Sequence, residues 1–185
     1  MLKDIIFETE EKMKKTIEAM KKELSTMRVG RANPSILEKI QVEYYGTMTP
    51  VNQVANISVP EPRLIIVQPW DKTLVAQVEK AILKSDLGLN PSNDGSIIRI
   101  AIPQLTQERR LELVKVAKKK AEDTRVNIRN IRRDANDNIK VIEKDKIVSE
   151  DDAKKGQDDI QKLTDKYIKE LDGVLNIKEK EIMEV

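Results

Sequence analysis

Apolar positions recur at helical spacing over both ends of the chain and switch to alternation in its middle. From Met13 the first flank places Met13, Ile17, Met20, Leu24 and Met27 at steps of four, three, four and three, the narrow stripe of a bundle helix. This helix is expected to end near Gly30. After Thr106, a candidate N-cap, Val114, Ala121, Ile128, Ala135 and Ile142 recur every seventh residue, and Ala117, Ile131 and Ile139 widen the stripe. The pattern predicts one helix of about 40 residues, roughly 60 Å long at about 1.5 Å per residue. A third helix is expected from Ser149, whose hydroxyl can cap while Asp152 sits three positions on, with Ala153, Ile160, Leu163, Tyr167, Leu171 and Val174 turned inward. Gly156 and Gly173 inside it cost about 1 kcal/mol each relative to Ala.

The middle has a different period. Ile40, Val42 and Tyr44 alternate with Gln41, Glu43 and Tyr45 up to Gly46 and Pro50, which reads as a strand, and Leu64 to Val67 and Ile97 to Ile102 read as two more. Between them Asp71 can cap a short helix with Leu74, Val75, Val78, Ile82 and Leu83 inward, stopped at Gly88. Asn90-Pro-Ser-Asn-Asp-Gly95 carries turn chemistry. All seven prolines (Pro34, Pro50, Pro60, Pro62, Pro69, Pro91 and Pro103) lie in this middle, so both flanks are free to be uninterrupted helices. The expected fold class is α+β. Residues 1–30 and 105–185 form an elongated three-helix bundle, and residues 31–104 a small β/α/β domain inserted into it.

Two links join such an insertion to its host, at 29–34 and 103–106. They form a candidate hinge made of Val29, Gly30, Arg31 and Pro34 on one side and Pro103, Gln104, Leu105 and Thr106 on the other. Gly30 supplies backbone freedom, and Pro34 and Pro103 keep the residues before them out of helical geometry. The alternative is that Gly30 is merely a helix C-cap and the two modules are docked rigidly.

Composition narrows the chemistry. Among 185 residues there is neither His nor Cys, which excludes disulfides, thiolate metal sites, cysteine nucleophiles and imidazole bases. No GxxxxGK[ST], GxGxxG or HExxH is present, and no catalytic residue, metal ligand or cofactor is assigned. Charged residues make up 36% of the chain, above the usual quarter, and 34 Lys plus Arg nearly balance 32 Asp plus Glu. That profile suits long salt-bridged helices. No apolar run approaches a signal or spanning segment, so a soluble cytoplasmic protein is expected.

A nearly neutral total hides a strongly basic segment. Between Arg109 and Arg133 stand ten cations: Arg109, Arg110, Lys115, Lys118, Lys119, Lys120, Arg125, Arg129, Arg132 and Arg133. Lys118, Arg125, Arg129 and Arg132 follow at spacings of seven, four and three, one stripe about a quarter-turn from the apolar seam. Guanidinium groups can bind phosphate bidentately, which suits structured RNA. Arg28 and Arg31 could extend the surface. The bland alternative is a solvated face of (i, i+4) pairs with acids. No aromatic accompanies the stripe, so shape and phosphate recognition fits better than base stacking on single strands. Of the pair Tyr44-Tyr45, alternation sends one ring inward and the other out. Asp134-Ala-Asn-Asp-Asn138 imitates the start of a calcium loop but lacks the glycine and the closing glutamate, and the heptad runs straight through it.

Three segments together carry a family likeness: Arg28-Val-Gly-Arg-Ala-Asn-Pro34, Val42-Glu-Tyr-Tyr-Gly46 followed by Thr49-Pro50, and Asn127-Ile-Arg-Asn-Ile-Arg-Arg-Asp-Ala-Asn-Asp137. With Ser85-Asp-Leu-Gly-Leu-Asn-Pro91, Leu105-Thr-Gln-Glu-Arg-Arg110 and Ser149-Glu-Asp-Asp152, the chain resembles the bacterial ribosome recycling factor family over essentially its whole length. The resemblance implies an L-shaped two-domain monomer with a flexible hinge. It implies binding to large-subunit ribosomal RNA on the post-termination ribosome and, with elongation factor G and GTP, separation of the subunits without chemistry of its own. By position it places RNA contacts on Arg129, Arg132 and Arg133, Arg132 foremost, with Arg28 and Arg31 as auxiliaries and Arg125 and Lys118 on the same stripe. The competing reading, from a different class, is a helical-bundle adaptor for a protein partner.

Overall fold

The computed structural model describes every residue except Arg28, Val29 and Val185. In chain order the elements are α1 (Leu2–Ser25), β1 (Gln41–Tyr44), β2 (Thr47–Pro50), α2 (Val51–Val54), β3 (Ala55–Glu61), β4 (Leu64–Pro69), α3 (Val75–Lys84), β5 (Pro91–Asn93), β6 (Ile98–Ala101), α4 (Gln107–Lys144) and α5 (Glu150–Met183). Short 3-10 turns at Pro34–Leu37 and Lys72–Leu74 complete the list. The chain divides into two compact units, one made of Met1–Met27 with Gln107–Glu184 and the other of Arg28–Thr106.

The first unit is a bundle in which α1, α4 and α5 all pack on one another. Its core follows the expected stripes: Met13, Ile17, Met20 and Leu24 from α1, Ala117, Ala121, Ile128, Ala135, Ile139 and Ile142 from α4, and Ala153, Ile160, Tyr167 and Leu171 from α5. Two details differ. Leu113 is buried in place of Val114, which is half-buried, because the stripe drifts as a period of about 3.6 residues slips against a strict seven. Met27 lies beyond the end of α1 and is also only half-buried. α5 begins as expected: the Ser149 hydroxyl accepts from Asp152 N at 3.1 Å, and Glu150, Asp151 and Asp152 place negative charge on the first turn. The turn before it runs through Lys146 in the left-handed region, φ 58°, and Ile147 N closes the turn onto Ile142 O at 2.9 Å.

Gly156 has a packing reason. It is buried against Leu2, and a Cβ at this position would stand 2.7 Å from Leu2 Cδ1. Gly173 has no such neighbour within 4 Å.

The second unit holds two antiparallel sheets. β1 and β2 form a hairpin with Gln41 opposite Pro50 and Tyr44 opposite Thr47; its two-residue turn, Tyr45-Gly46, has positive φ at both positions, 50° and 78°, as a primed hairpin turn demands. The four-stranded sheet has the order β3-β4-β6-β5. Ile65 and Val67 of β4 and Ile98 and Ile100 of β6 are fully buried in one core with Val75, Val78 and Ile82 of α3. Asp71 caps the turn before α3, its carboxylate accepting from Thr73 N at 2.9 Å.

This sheet system is larger than the three strands expected. β2, β3 and β5 are the additional strands, and each contains a proline: Pro50, Pro60 and Pro91. β3 and β5 are the edges of their sheet, and β2 pairs on one side only, which is where a strand tolerates a missing N–H. Pro91–Asn93, expected as part of a turn, pairs with β6, and the turn proper is Asp94-Gly95. There the Asp94 carboxylate accepts from the backbone N–H of Ile97 and Ser96, which holds it down at about 2. Leu83, expected inward, is exposed. Both ends of this unit are anchored at one turn: Ala32 N donates to Pro62 O at 2.7 Å and Ile102 N to Arg63 O at 2.8 Å.

Gly173→Ala should raise the stability of the chain by about 0.5 to 1 kcal/mol, since a methyl group there meets nothing and the unfolded chain loses freedom. Chemical denaturation monitored by circular dichroism measures this, and an unchanged or lower midpoint would contradict it.

Candidate nucleic-acid interface

The basic stripe lies on α4, a single helix of 38 residues and so about 57 Å long. At about 100° per residue, Lys118, Arg125, Arg129 and Arg132 fall within about 60° of one another, beside the buried face and outside it. Cross-helix pairs fix which groove they border. Arg125 Nη2 reaches Asp172 on α5 at 2.6 Å, Lys118 Nζ reaches Glu179 on α5 at 3.9 Å, and Arg132 Nη1 donates to Gln161 Oε1 on α5 at 3.3 Å. Lys120, on the other flank of the buried face, pairs with Glu23 of α1 at 3.3 Å. The arginine edge therefore runs along the α4–α5 side of the bundle.

Members of the stripe have different surroundings. Arg125 is tied up: its guanidinium bonds both Asp172 and Glu122, its side chain is only 21% exposed, and the Asp172 carboxylate raises its pKa further. It works as a clamp between α4 and α5. Lys118 is well exposed and only loosely held. Arg132 is half-buried, with the single neutral partner already named. Arg129 and Arg133 are exposed and make no hydrogen bond or ion pair with any described residue.

Intrahelical neighbours sharpen the contrast. Arg109 has Glu112 at 2.9 Å, Lys14 has Glu11 and Lys21 has Glu18, each three residues away, as a solvated charged face requires. Around Arg129 the residues three and four away are Arg125, Val126, Arg132 and Arg133; around Arg132 they are Ile128, Arg129, Ala135 and Asn136. Neither arginine has a carboxylate within helical reach. Like charges at this spacing cost a few tenths of a kcal/mol each. Among the described residues no carboxylate pairs with Arg129, Arg132 or Arg133, so the cluster is suited to an anion from outside.

The family model described as "Ribosome recycling factor" matches residues 20–183. The chain belongs to the ribosome recycling factor family. Ribosome-recycling factors of Syntrophomonas wolfei and Carboxydothermus hydrogenoformans are each 65% identical to it over 185 residues, covering 100% of both chains. That of Clostridium perfringens is 57% identical over the same span. Among solved structures, the solution structure of a ribosome recycling factor is similar with a TM-score of 0.76 and 46% identity over 100% of this chain and 98% of that one. A second is a chain of the models for the T. thermophilus ribosome recycling factor and the E. coli elongation factor G bound to the E. coli post-termination complex. It matches at a TM-score of 0.63 and 46% identity, covering 99% of each chain.

Within this family member the remaining sequence candidates fall as follows. Arg28 and Val29 lie outside the described residues, and Arg31 is exposed in the second unit. Tyr45 is 85% exposed and Tyr44 half-buried, the two rings 4.4 Å apart, so the pair is one surface and one packed ring as its alternation implies. Asp134 to Asn138 are helical within α4, and no group of metal-ligating side chains occurs among the described residues. Among the described residues no helix is long and apolar enough to cross a membrane. Gln161, the partner of Arg132, was not legible in the sequence. Only the antiparallel register of α4 against α5 brings the two together.

Arg125→Ala should destabilise the bundle by about 1 kcal/mol, the scale of a partly exposed cross-helix ion pair, measured by denaturant unfolding. A stability equal to wild type would show that the clamp is not structural.

Proposed function

We propose that this chain binds the post-termination ribosome through the α4–α5 edge of its bundle and, with elongation factor G and GTP, promotes separation of the subunits and release of mRNA. The observation that carries the RNA contact is the arginine cluster Arg129, Arg132 and Arg133, in which Arg129 and Arg132 have no carboxylate three or four residues away and Arg129 and Arg133 are exposed without an ion pair to any described residue. Guanidinium groups one turn apart lie about 6 Å from each other along the helix, close to the spacing of successive phosphates on one strand. Membership of the family supports the ribosome as the ligand, and the similar ribosome recycling factor bound with elongation factor G to a post-termination complex supports the partner factor.

In this reading Arg132 is the main contact, Arg129 and Arg133 flank it, Lys118 lies further along the edge, and Arg28 and Arg31 are auxiliaries. The chain makes and breaks no bond itself: it is a positioning factor, and the GTPase supplies directed work. Its place of action is the cytoplasm, where ribosomes are. The inserted unit serves as the part on which that work is exerted, with the links at 29–34 and 103–106 as hinge. Ala32 and Ile102 are bonded to the neighbouring residues Pro62 and Arg63, so both links leave the inserted unit from one place, as a hinge needs.

Light scattering of post-termination ribosomes tests the reading. Subunit separation is expected only when the chain, elongation factor G and GTP are all present; splitting at the same rate without the chain would refute it. Arg132→Ala should leave the fold intact and cost about 1.5 to 3 kcal/mol of affinity for large subunits, the scale of a charge-assisted hydrogen bond. Wild-type affinity in a sedimentation assay would remove Arg132 from the interface.

A further inference from the structure

Arg125 and Arg132 stand two turns apart on one edge of α4, and α5 meets them with opposite chemistry. Arg125 faces carboxylates, Asp172 across the groove and Glu122 on its own helix, and is neutralised. Arg132 faces an amide: its Nη1 donates to Gln161 Oε1 at 3.3 Å. The amide in turn donates from Nε2 to Asp165 Oδ1 at 2.9 Å, one turn along α5.

The order of this relay has a chemical reason. A glutamine amide can face either way, but a carboxylate accepts only from its NH₂ end. Asp165 therefore turns the carbonyl of Gln161 toward α4, where it can only accept. Arg132 gives one N–H to that carbonyl and keeps the other donors and its full charge. A glutamate at 161 would hold the guanidinium more firmly and cancel the charge that an RNA phosphate needs.

We propose that Gln161, turned by Asp165, is a positioning residue for RNA binding: it holds the Arg132 guanidinium over the α4–α5 groove through a neutral hydrogen bond that leaves its charge for phosphate. This rests on the reading of Arg132 as an RNA contact. Preorganisation of a long side chain spares the ordering that binding otherwise demands, which is worth about a two- to tenfold gain in affinity. Gln161 need not touch RNA to act, and its effect exists only while Arg132 is present.

The test measures binding of the full chain to purified bacterial large ribosomal subunits over a range of salt concentrations. The set is wild type, Gln161→Leu, Gln161→Glu, Arg132→Ala and the two double variants, each with unfolding recorded to verify folding. Arg132→Ala should weaken binding and reduce the slope of log affinity against log salt by about 0.7 to 0.9, one phosphate contact fewer. Gln161→Leu should weaken binding about two- to tenfold with the slope unchanged, and should have no further effect once Arg132 is alanine. Gln161→Glu should weaken binding more than Gln161→Leu, and most of that excess should vanish in the Arg132→Ala background. Wild-type affinity for Gln161→Leu, or an equal loss with and without Arg132, overturns the positioning role while leaving the RNA contact standing. Wild-type affinity and slope for Arg132→Ala overturn the RNA contact itself.

Discussion

A single continuous helix, α4, imposes one geometry on two tasks. The seven-residue recurrence that lines up Ala121, Ile128, Ala135 and Ile142 for the core also lines up Lys118, Arg125 and Arg132 beside it. Core and cation edge are thus two readings of one period, and any slip of register would move both. Cross-helix pairs to α5 and α1 hold that register: Arg125 with Asp172 on one flank, Lys120 with Glu23 on the other. Each exposed pair contributes little alone. Their value here lies in fixing which groove the arginines border.

The bundle was readable because helical periodicity survives in sequence wherever no proline interrupts it. The stripes of α1 and α4 and the Ser149 cap of α5 could be read residue by residue, with errors of one position such as Val114 for Leu113. The inserted unit was readable only in its centre. Leu64 to Val67 and Ile97 to Ile102 announced β4 and β6, buried between neighbours and rich in β-branched residues. Their partners β3 and β5, and the hairpin strand β2, carry prolines and short polar stretches, which read as loops. Edge strands are specified by the strands they pair with more than by their own composition, so their existence is a tertiary fact.

The candidate interface divides in the same way. Spacing alone put Arg125, Arg129 and Arg132 on one line, while guanidinium chemistry suited RNA but left a solvated charged face open, and it was the family resemblance that implied RNA. What spacing could not supply was the chemistry opposite each arginine, because Asp172 and Gln161 lie 47 and 29 residues away in sequence from the groups they meet. On a stripe uniform in sequence, Arg125 is the member bonded to carboxylates on both helices. The separation between a neutralised arginine and an available one is set by both helices, by Glu122 of α4 and by Asp172 and Gln161 of α5.

Tyr167 of α5, by contrast, donates from its hydroxyl to Glu10 of α1 at 2.9 Å, and burial with that carboxylate pushes the phenol up to about 12. The phenol oxygen therefore keeps its proton, and its hydrogen bond to Glu10, across the neutral range. With no imidazole or thiol anywhere in the chain, the side chains that ordinarily change charge near neutrality or oxidise to a disulfide are absent from the bundle and its cation edge. Dissolved ions that screen the edge, and other macromolecules that compete for it, are then the environmental levers left to adjust its grip.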